Sequence, residues 1–210
     1  MKKRLIYLIR HAEPLKDRVR NYFIRCNPPL SPYGIKQAET LALALSGRKL
    51  ESVYCSDLRC AKETAAIIAA RQSVKPKAFI GLREIRWGEW ENLTPAELKE
   101  KIEISKELGQ DSLEFNPPGG ESLAEVIDRV IPVFTQITEQ TNGNIAIVAH
   151  AVVNLVIQCH LLQQDLALEH LFTSAQAYAQ VSVIQQSSSI FRIGEANLYK
   201  QLEPQGAVLH

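Results

Sequence analysis

Cysteine is scarce in this sequence: Cys26, Cys55, Cys60 and Cys159 are the only four in 210 residues. They are too few for a disulfide framework and include no CxxC pair, so free thiols in a reducing cytoplasm are the expectation. Charge of one sign is also missing. Lys and Arg number 24 against 23 Asp and Glu, for a net charge of +1. Neither a nucleic-acid footprint nor an acidic tail is present. Long apolar runs are lacking too. The opening MKKRLIYLIR mimics a leader only until Arg10 interrupts it, and no small-residue cleavage site follows. Nothing in the chain is long enough to cross a bilayer, so no membrane partner is expected. Repeats and low-complexity segments do not occur.

What is present is alternation. Leu5–Ile9 is a short apolar run that reads as a buried strand. Ile35, Ala38, Leu41, Ala42 and Leu45 recur at helical spacing over Gly34–Leu45, with Ser31 as N-cap and Pro32 at the first helical position. Ser52–Cys55 is a second strand. Leu58, Ala61, Ala65, Ile68 and Ala69 mark one face of a second helix. Lys77–Ile80 reads as a third strand. Thr94 and Pro95 open a helix running to about Leu108. After the loop FNPPGGES (Phe115–Ser122), Ser122 caps a helix whose core face is Leu123, Val126, Ile127, Val130, Phe134 and Ile137, and Pro132 should kink it. Ile145–Ala149 is a strand and Ala151–Leu162 a nearly all-apolar, central helix. Val181–Ile184 and Ile190–Ile193 close the chain as strands. The pattern implies an α/β protein, a three-layer α/β/α sandwich with a largely parallel sheet. We expect a single domain over 1–210, with a small helical cap inserted at about 83–120.

The strand ends carry the chemistry. IYLIRHAEP (Ile6–Pro14) turns from a buried strand into charge at Arg10 and His11. Ser56, Arg59 and Cys60 follow the second strand, Arg83 and Glu84 the third, and His150 the strand IAIVA. Ligands of parallel α/β sheets bind beyond the carboxyl ends of the strands. Two imidazoles, guanidinium groups and a carboxyl delivered to one rim suit phosphoryl transfer. A guanidinium fork fits two phosphate oxygens. A neutral imidazole can take the phosphoryl group covalently. A carboxyl can protonate the leaving alkoxide and then deprotonate water. No metal or cofactor is required for this.

The blocks LIRHAE (Leu8–Glu13), NPPLSPYGIKQAE (Asn27–Glu39), YCSDLRCAKETA (Tyr54–Ala65), LREIRWGEWENLT (Leu82–Thr94), PPGGES (Pro117–Ser122) and VAHA (Val148–Ala151) occur in order. Together they resemble the histidine phosphatase superfamily, in its phosphoglycerate mutase-like branch. The resemblance implies His11 as the phosphorylated nucleophile, Arg10 and His150 around the phosphate, and Glu84 as proton donor and acceptor. It implies a metal-independent cytoplasmic phosphomonoester hydrolase acting on a small-molecule phosphate ester or a phosphoprotein. Asp17, Arg59 and Arg83 are further substrate-binding candidates. The short cap and FNPPGGES favour water as acceptor over the mutase reaction, which stands as an alternative.

Some positions depart from the family pattern. Ala12 and Ala151 stand where glycine is usual, and Asp17 where a loop asparagine is frequent. Cys60 holds the place of an arginine, with Arg59 one residue early. One residue on a helix is a rotation of about 100°, so Arg59 is expected to point elsewhere. Losing one donor to transition-state charge lowers rate by about 10²–10³. An attenuated enzyme, or a phosphate-ester-binding regulatory protein on the same fold, is therefore the second reading. His11, His150, Cys60 and Glu84 are also zinc-ligand types, though their spacing matches no finger or zincin. A cysteine-dependent phosphatase is excluded, because Ala61 and Ala66 stand where its arginine would follow Cys55 and Cys60.

Overall fold

A computed structural model describes residues 3–15, 27–109, 113–114, 116–167, 170–173, 176–187 and 190–196. Asp17 lies outside the described residues, as do Arg18, Arg20, Arg25, Cys26, Phe115 and His210.

Strand β1 (Arg4–Arg10) leads to α1 (Pro32–Leu45), β2 (Leu50–Ser56), α2 (Arg59–Ala70) and β3 (Lys77–Phe79). Then come α3 (Pro95–Glu107), α4 (Leu123–Glu139), β4 (Asn144–Ala149), α5 (Ala151–Leu162), α6 (His170–Thr173), β5 (Val181–Ser187) and β6 (Ile190–Ala196). The sheet order is β3-β2-β4-β1-β5-β6. The β3–β2, β2–β4 and β4–β1 pairings are parallel, while β5 runs antiparallel to β1 and β6 to β5. The sheet is thus largely parallel, with an antiparallel edge.

Alternation along β1 and β4 builds the two cores, since successive side chains of a strand face opposite sides. Ile6, Leu8, Ile145 and Ile147 join the core formed with α4 and α5. Tyr7, Ile9, Ala146 and Val148 join the core formed with α1 and α2. This is the expected three-layer sandwich. Trp87, Leu98 and Ile102 from the segment after β3 are buried in the α4–α5 core, and Trp90 packs against it. Both tryptophans thus contribute to the core packing.

Local sequence accounts for the helix starts. The Ser31 hydroxyl accepts from the Gly34 N–H, and Thr94 and Ser122 each form a capping box, with Glu97 and Glu125. The third strand stops at Phe79, one residue short of the expected end, because Ile80–Leu82 winds into a 3₁₀ turn. The closing strands run past the expected Ile184 and Ile193, to Ser187 and Ala196. Their added residues are mostly polar, so hydrophobic patterning could not mark them. Helix α4 remains one element across Pro132.

The topology fixes where a ligand goes. After β1 the chain passes to α1 on one face of the sheet, and after β4 to α5 on the other. β1 and β4 are neighbours, so the gap between their carboxyl ends is a topological switch point. Arg10 pairs with Ala149 in register, and the His11 N–H donates to the Ala149 carbonyl at 3.0 Å. The next residues along the two strands are His11 and His150.

Candidate active site

The parallel register brings the two histidines together. Their ring centroids lie 4.9 Å apart, edge to face. Both are buried, at 7% exposure for His11 and 2% for His150. His11 Nδ1 lies 2.9 Å from the Ala12 carbonyl. A carbonyl only accepts, so Nδ1 carries the proton and Nε2 keeps its lone pair. Burial, and secondarily the Arg10 charge, hold the His11 pKa down at about 4 against a raising contribution from Ala12. Burial also holds His150 well below the ordinary imidazole value, helped by the charges of His11 and Arg10. Both rings are neutral at neutral pH.

Arg10 is oriented from the far side by a segment that sequence reasoning missed. Its guanidinium donates to the Gln176 carbonyl and lies over the Tyr178 ring, 4.2 Å from the centroid. Tyr178 also leans on His11, with centroids 5.5 Å apart. Gln176 is itself anchored, accepting from the Asn154 amide at 2.6 Å and donating to the Ser182 hydroxyl at 2.9 Å. Among the described residues, Arg10 Nε and His150 Nε2 are buried and lack a hydrogen-bond partner. Such groups are costly to leave unpaired. Here they belong to two side chains that both border His11, and an oxyanion would satisfy them.

Glu84 arrives from the segment after β3. Its carboxylate accepts from the Ile85 N–H at 3.1 Å and from the Val152 N–H at 3.2 Å, so it sits at the N-terminus of α5, directly after His150. Burial raises its pKa, while Arg10 and the N–H donors of Val152 and Ile85 act the other way. A carboxyl biased toward its protonated form suits a proton donor.

The structure brings together Arg10, His11, Glu84 and His150. Two other candidates have partners elsewhere. Arg59 is 56% exposed in its side chain and pairs with Glu63 at 2.8 Å, so the rotation expected from its early position is realised. Arg83 forms a two-pronged ion pair with Asp57, at 2.7 and 2.6 Å, and is half exposed. A phosphate-binding role for either would require breaking these pairs. Cys60 is buried, and its donor atom lies within 4.8 Å of a ring nitrogen of both His11 and His150. Burial pushes its thiol up to about 12, which leaves it protonated. Ala12 does not open onto empty space: its N–H donates to the Thr64 hydroxyl at 3.1 Å, and its methyl packs with Leu30, Ala38, Cys60 and Ala179.

Two further residues hold Glu84 in place. Arg129 of α4 donates to the carbonyls of Gly81, Arg83 and Glu84 at 2.9, 2.7 and 3.2 Å, and pairs with Glu121 at 2.9 Å. Glu121 lies in PPGGES and also accepts from the Arg86 N–H. Burial opposes its ionisation, but the bonds from Arg129 and the Arg86 N–H, with the charges of both arginines, together outweigh that and hold its carboxyl below the ordinary range. Gly88 lets the same loop close. It has φ +57°, and a Cβ there would lie 2.2 Å from the Pro118 carbonyl oxygen. The blocks WGEW and PPGGES therefore form one support beneath Glu84. Glu121 was legible as part of a motif; Arg129 had no signal beyond a polar position on an amphipathic helix.

His170 Nδ1 accepts from the Ala167 N–H at 3.1 Å, a local structural role, and His160 is exposed on α5. Among the described residues, no helix is long and apolar enough to cross a membrane.

Comparison with known proteins agrees with this geometry. A family model described as the histidine phosphatase superfamily (branch 1) matches residues 6–198. Phosphoserine phosphatase 1 of Hydrogenobacter thermophilus is 32% identical over 164 residues, covering 77% of this chain and 78% of that protein. Glucosyl-3-phosphoglycerate phosphatase of Mycolicibacterium vanbaalenii is 28% identical over 70% of this chain and 65% of its own length. Among solved structures, the alpha-ribazole phosphatase from Shigella flexneri superposes with a TM-score of 0.76 at 25% identity, over 92% of this chain and 96% of that one. With a match across nearly its whole length, the chain belongs to the histidine phosphatase superfamily, branch 1.

Proposed function

We propose that the protein hydrolyses phosphate monoesters through a phosphohistidine on His11. The supporting observation is a neutral His11 bordered by Arg10 and His150, each with a buried Nε atom that lacks a partner. In the first half-reaction the His11 Nε2 lone pair forms the N–P bond as the ester P–O bond breaks. Arg10 and His150 take the developing charge on the phosphoryl oxygens. Glu84 gives its proton to the leaving alkoxide. In the second half, Glu84 accepts a proton from water as the oxygen attacks phosphorus. The N–P bond breaks, and phosphate leaves with Glu84 protonated again.

Cys60 supplies no charge to the phosphate, so the proposal includes a turnover lower than a second guanidinium would give. The relatives' names point to small phosphorylated metabolites as the substrate class, and we place this chain's substrate there. Water rather than a second ester is the proposed acceptor. The test is hydrolysis of an aryl phosphate, with quenching in alkaline detergent to trap an alkali-stable, acid-labile phosphoprotein. Wild type should turn over and label. His11→Ala should do neither. Absence of hydrolysis at high concentrations of folded wild-type protein would favour the regulatory-binding alternative.

A further inference from the structure

We propose that His11, Cys60 and His150 form a binding site for a borderline-soft divalent cation of the Zn²⁺ class, whose occupancy reversibly blocks the His11 nucleophile. The metal site can be tested without the phosphatase reading; the block on the His11 nucleophile rests on it.

Three observations carry it. One ligand atom from each of the three residues lies within 4.8 Å of the others. A tetrahedral zinc with Zn–N of about 2.0–2.1 Å and Zn–S of about 2.3 Å sets its ligand atoms roughly 3.4–3.7 Å apart. Reaching that spacing from at most 4.8 Å asks the ligand atoms to shift by roughly 1 Å. Next, all three residues are buried, at 7%, 5% and 2% exposure, and come from separate rigid elements: the end of β1, the first turn of α2 and the end of β4. Finally, the buried His150 Nε2 has no partner and in the Nδ1–H tautomer offers a lone pair to a metal, where the Nε2–H tautomer would serve an oxyanion; His11 Nδ1, held at the Ala12 carbonyl, leaves Nε2 as a lone pair.

The donor set chooses the metal. One thiolate and two imidazoles suit zinc and disfavour magnesium and calcium, which need oxygen ligands. Three protein ligands leave a fourth position for water. Binding forms two N–metal bonds and one S–metal bond. The Cys60 proton goes to solvent, and no electrons are transferred.

Residue 60 determines whether this is possible. An arginine there, as in the family pattern, would put a second cation beside Arg10 and repel a metal. Cys60 instead offers a ligand whose thiolate cancels one of the two metal charges. Arg10 opposes loading, and the Cys60 thiolate is the charge that offsets it. His11 cannot ligate a metal and attack phosphorus with the same lone pair, so an occupied site is an inactive one.

The test uses the full chain purified without an affinity tag and stripped with a chelator. Cobalt(II) is titrated as the spectroscopic probe. Wild type should bind one cobalt per chain with a thiolate-to-cobalt charge-transfer band. Cys60→Ala, a small apolar replacement, should lose the band while keeping its circular dichroism, and Cys159→Ala should retain it. Zinc should lower aryl phosphatase activity at least tenfold, chelator should restore it, and Cys60→Ala should lose that sensitivity. No band in wild type, or an equal band in folded Cys60→Ala, overturns the site. A Cys60-dependent band in a protein without hydrolysis would sink the proposed function and leave the metal site standing; hydrolysis without the band does the reverse.

Discussion

Replacing Glu84 by glutamine removes a transferable proton and almost nothing else. The carboxylate oxygen Oε1 accepts from both Ile85 and Val152, at 3.1 and 3.2 Å, and a glutamine carbonyl can occupy that place. Burial raises the Glu84 pKa, which means that the fold disfavours its charge. Above the ordinary carboxylate pKa the native state therefore holds a proton that the unfolded chain has lost. Stability from this group falls as pH rises through the interval up to the raised value. Glutamine has no such term, so Glu84→Gln should melt at or above wild type at neutral pH. Catalysis should move the other way. Removing a general acid costs about 10²–10⁴ in rate, or about 3–5 kcal/mol of barrier. The loss depends on the leaving group: an alkoxide needs the proton, whereas a nitrophenolate departs without it. Measuring kcat/KM on an alkyl and a nitrophenyl phosphate separates the two. We expect at least a hundredfold loss on the alkyl ester and a much smaller one on the aryl ester. Equal losses on both, or less than tenfold on the alkyl ester by a folded variant, would refute the assignment of Glu84 as proton donor.

Cys60→Arg should raise kcat/KM by up to about 10²–10³ by restoring a donor to the phosphate, and lower the melting temperature, since overpacking a buried site costs about 1–3 kcal/mol. A folded variant no faster than wild type would show that position 60 does not limit turnover. With chelator present, the acid limb of the kcat/KM profile should lie near pH 4 rather than at the ordinary imidazole value, because burial and Arg10 keep His11 neutral down to about 4; a limb near 6.5 would mean a solvated ring. Stability should fall over the same window as pH drops, by on the order of 3 kcal/mol for His11, because the unfolded imidazole takes up a proton that the native one refuses. Denaturant midpoints across that range measure it. Arg129→Met should leave buried Glu121 without its main partner and lower stability by about 3 kcal/mol, while reducing kcat/KM on the alkyl phosphate more than on the aryl one. Equal reduction of the two would make Arg129 merely structural.

Much of this site is legible in sequence because it is built from strand ends. Hydrophobic runs located β1, β2 and β4, and Arg10, His11 and His150 follow immediately from them. What the runs do not contain is register. The contact between His11 and His150 depends on β1 lying beside β4 rather than β2, a choice made by chain crossovers of long sequence separation. Tyr178 and Gln176 were unreadable for the same reason: they reach Arg10 through the antiparallel β5, whose pairing with β1 has no local signature. Arg59 shows the opposite case. Helix periodicity alone implied that a one-residue offset would turn it outward, and its pairing with Glu63 is the result. Arg83 could not be decided this way, because its partner Asp57 lies 26 residues away across the β2–β3 edge.

The two chemical tasks we propose for the site rest on different supports. The spacing of His11 and His150 is held by main-chain hydrogen bonds of the β1–β4 ladder, deep in the sheet. Glu84 has no such anchor. Its backbone hangs on Arg129 of α4, which also grips Glu121 and through it the PPGGES loop. Phosphorylation of His11 and protonation of the leaving group should therefore fail independently. Weakening the Arg129 clamp displaces Glu84 while leaving the histidine pair in register. A phosphoenzyme should still form from a nitrophenyl ester in Arg129→Met, yet persist longer, because its hydrolysis needs Glu84 to take a proton from water. Weakening the β1–β4 ladder would remove both steps together. A longer-lived phosphohistidine in the Arg129 variant is thus the signature that distinguishes a displaced base from a loosened fold.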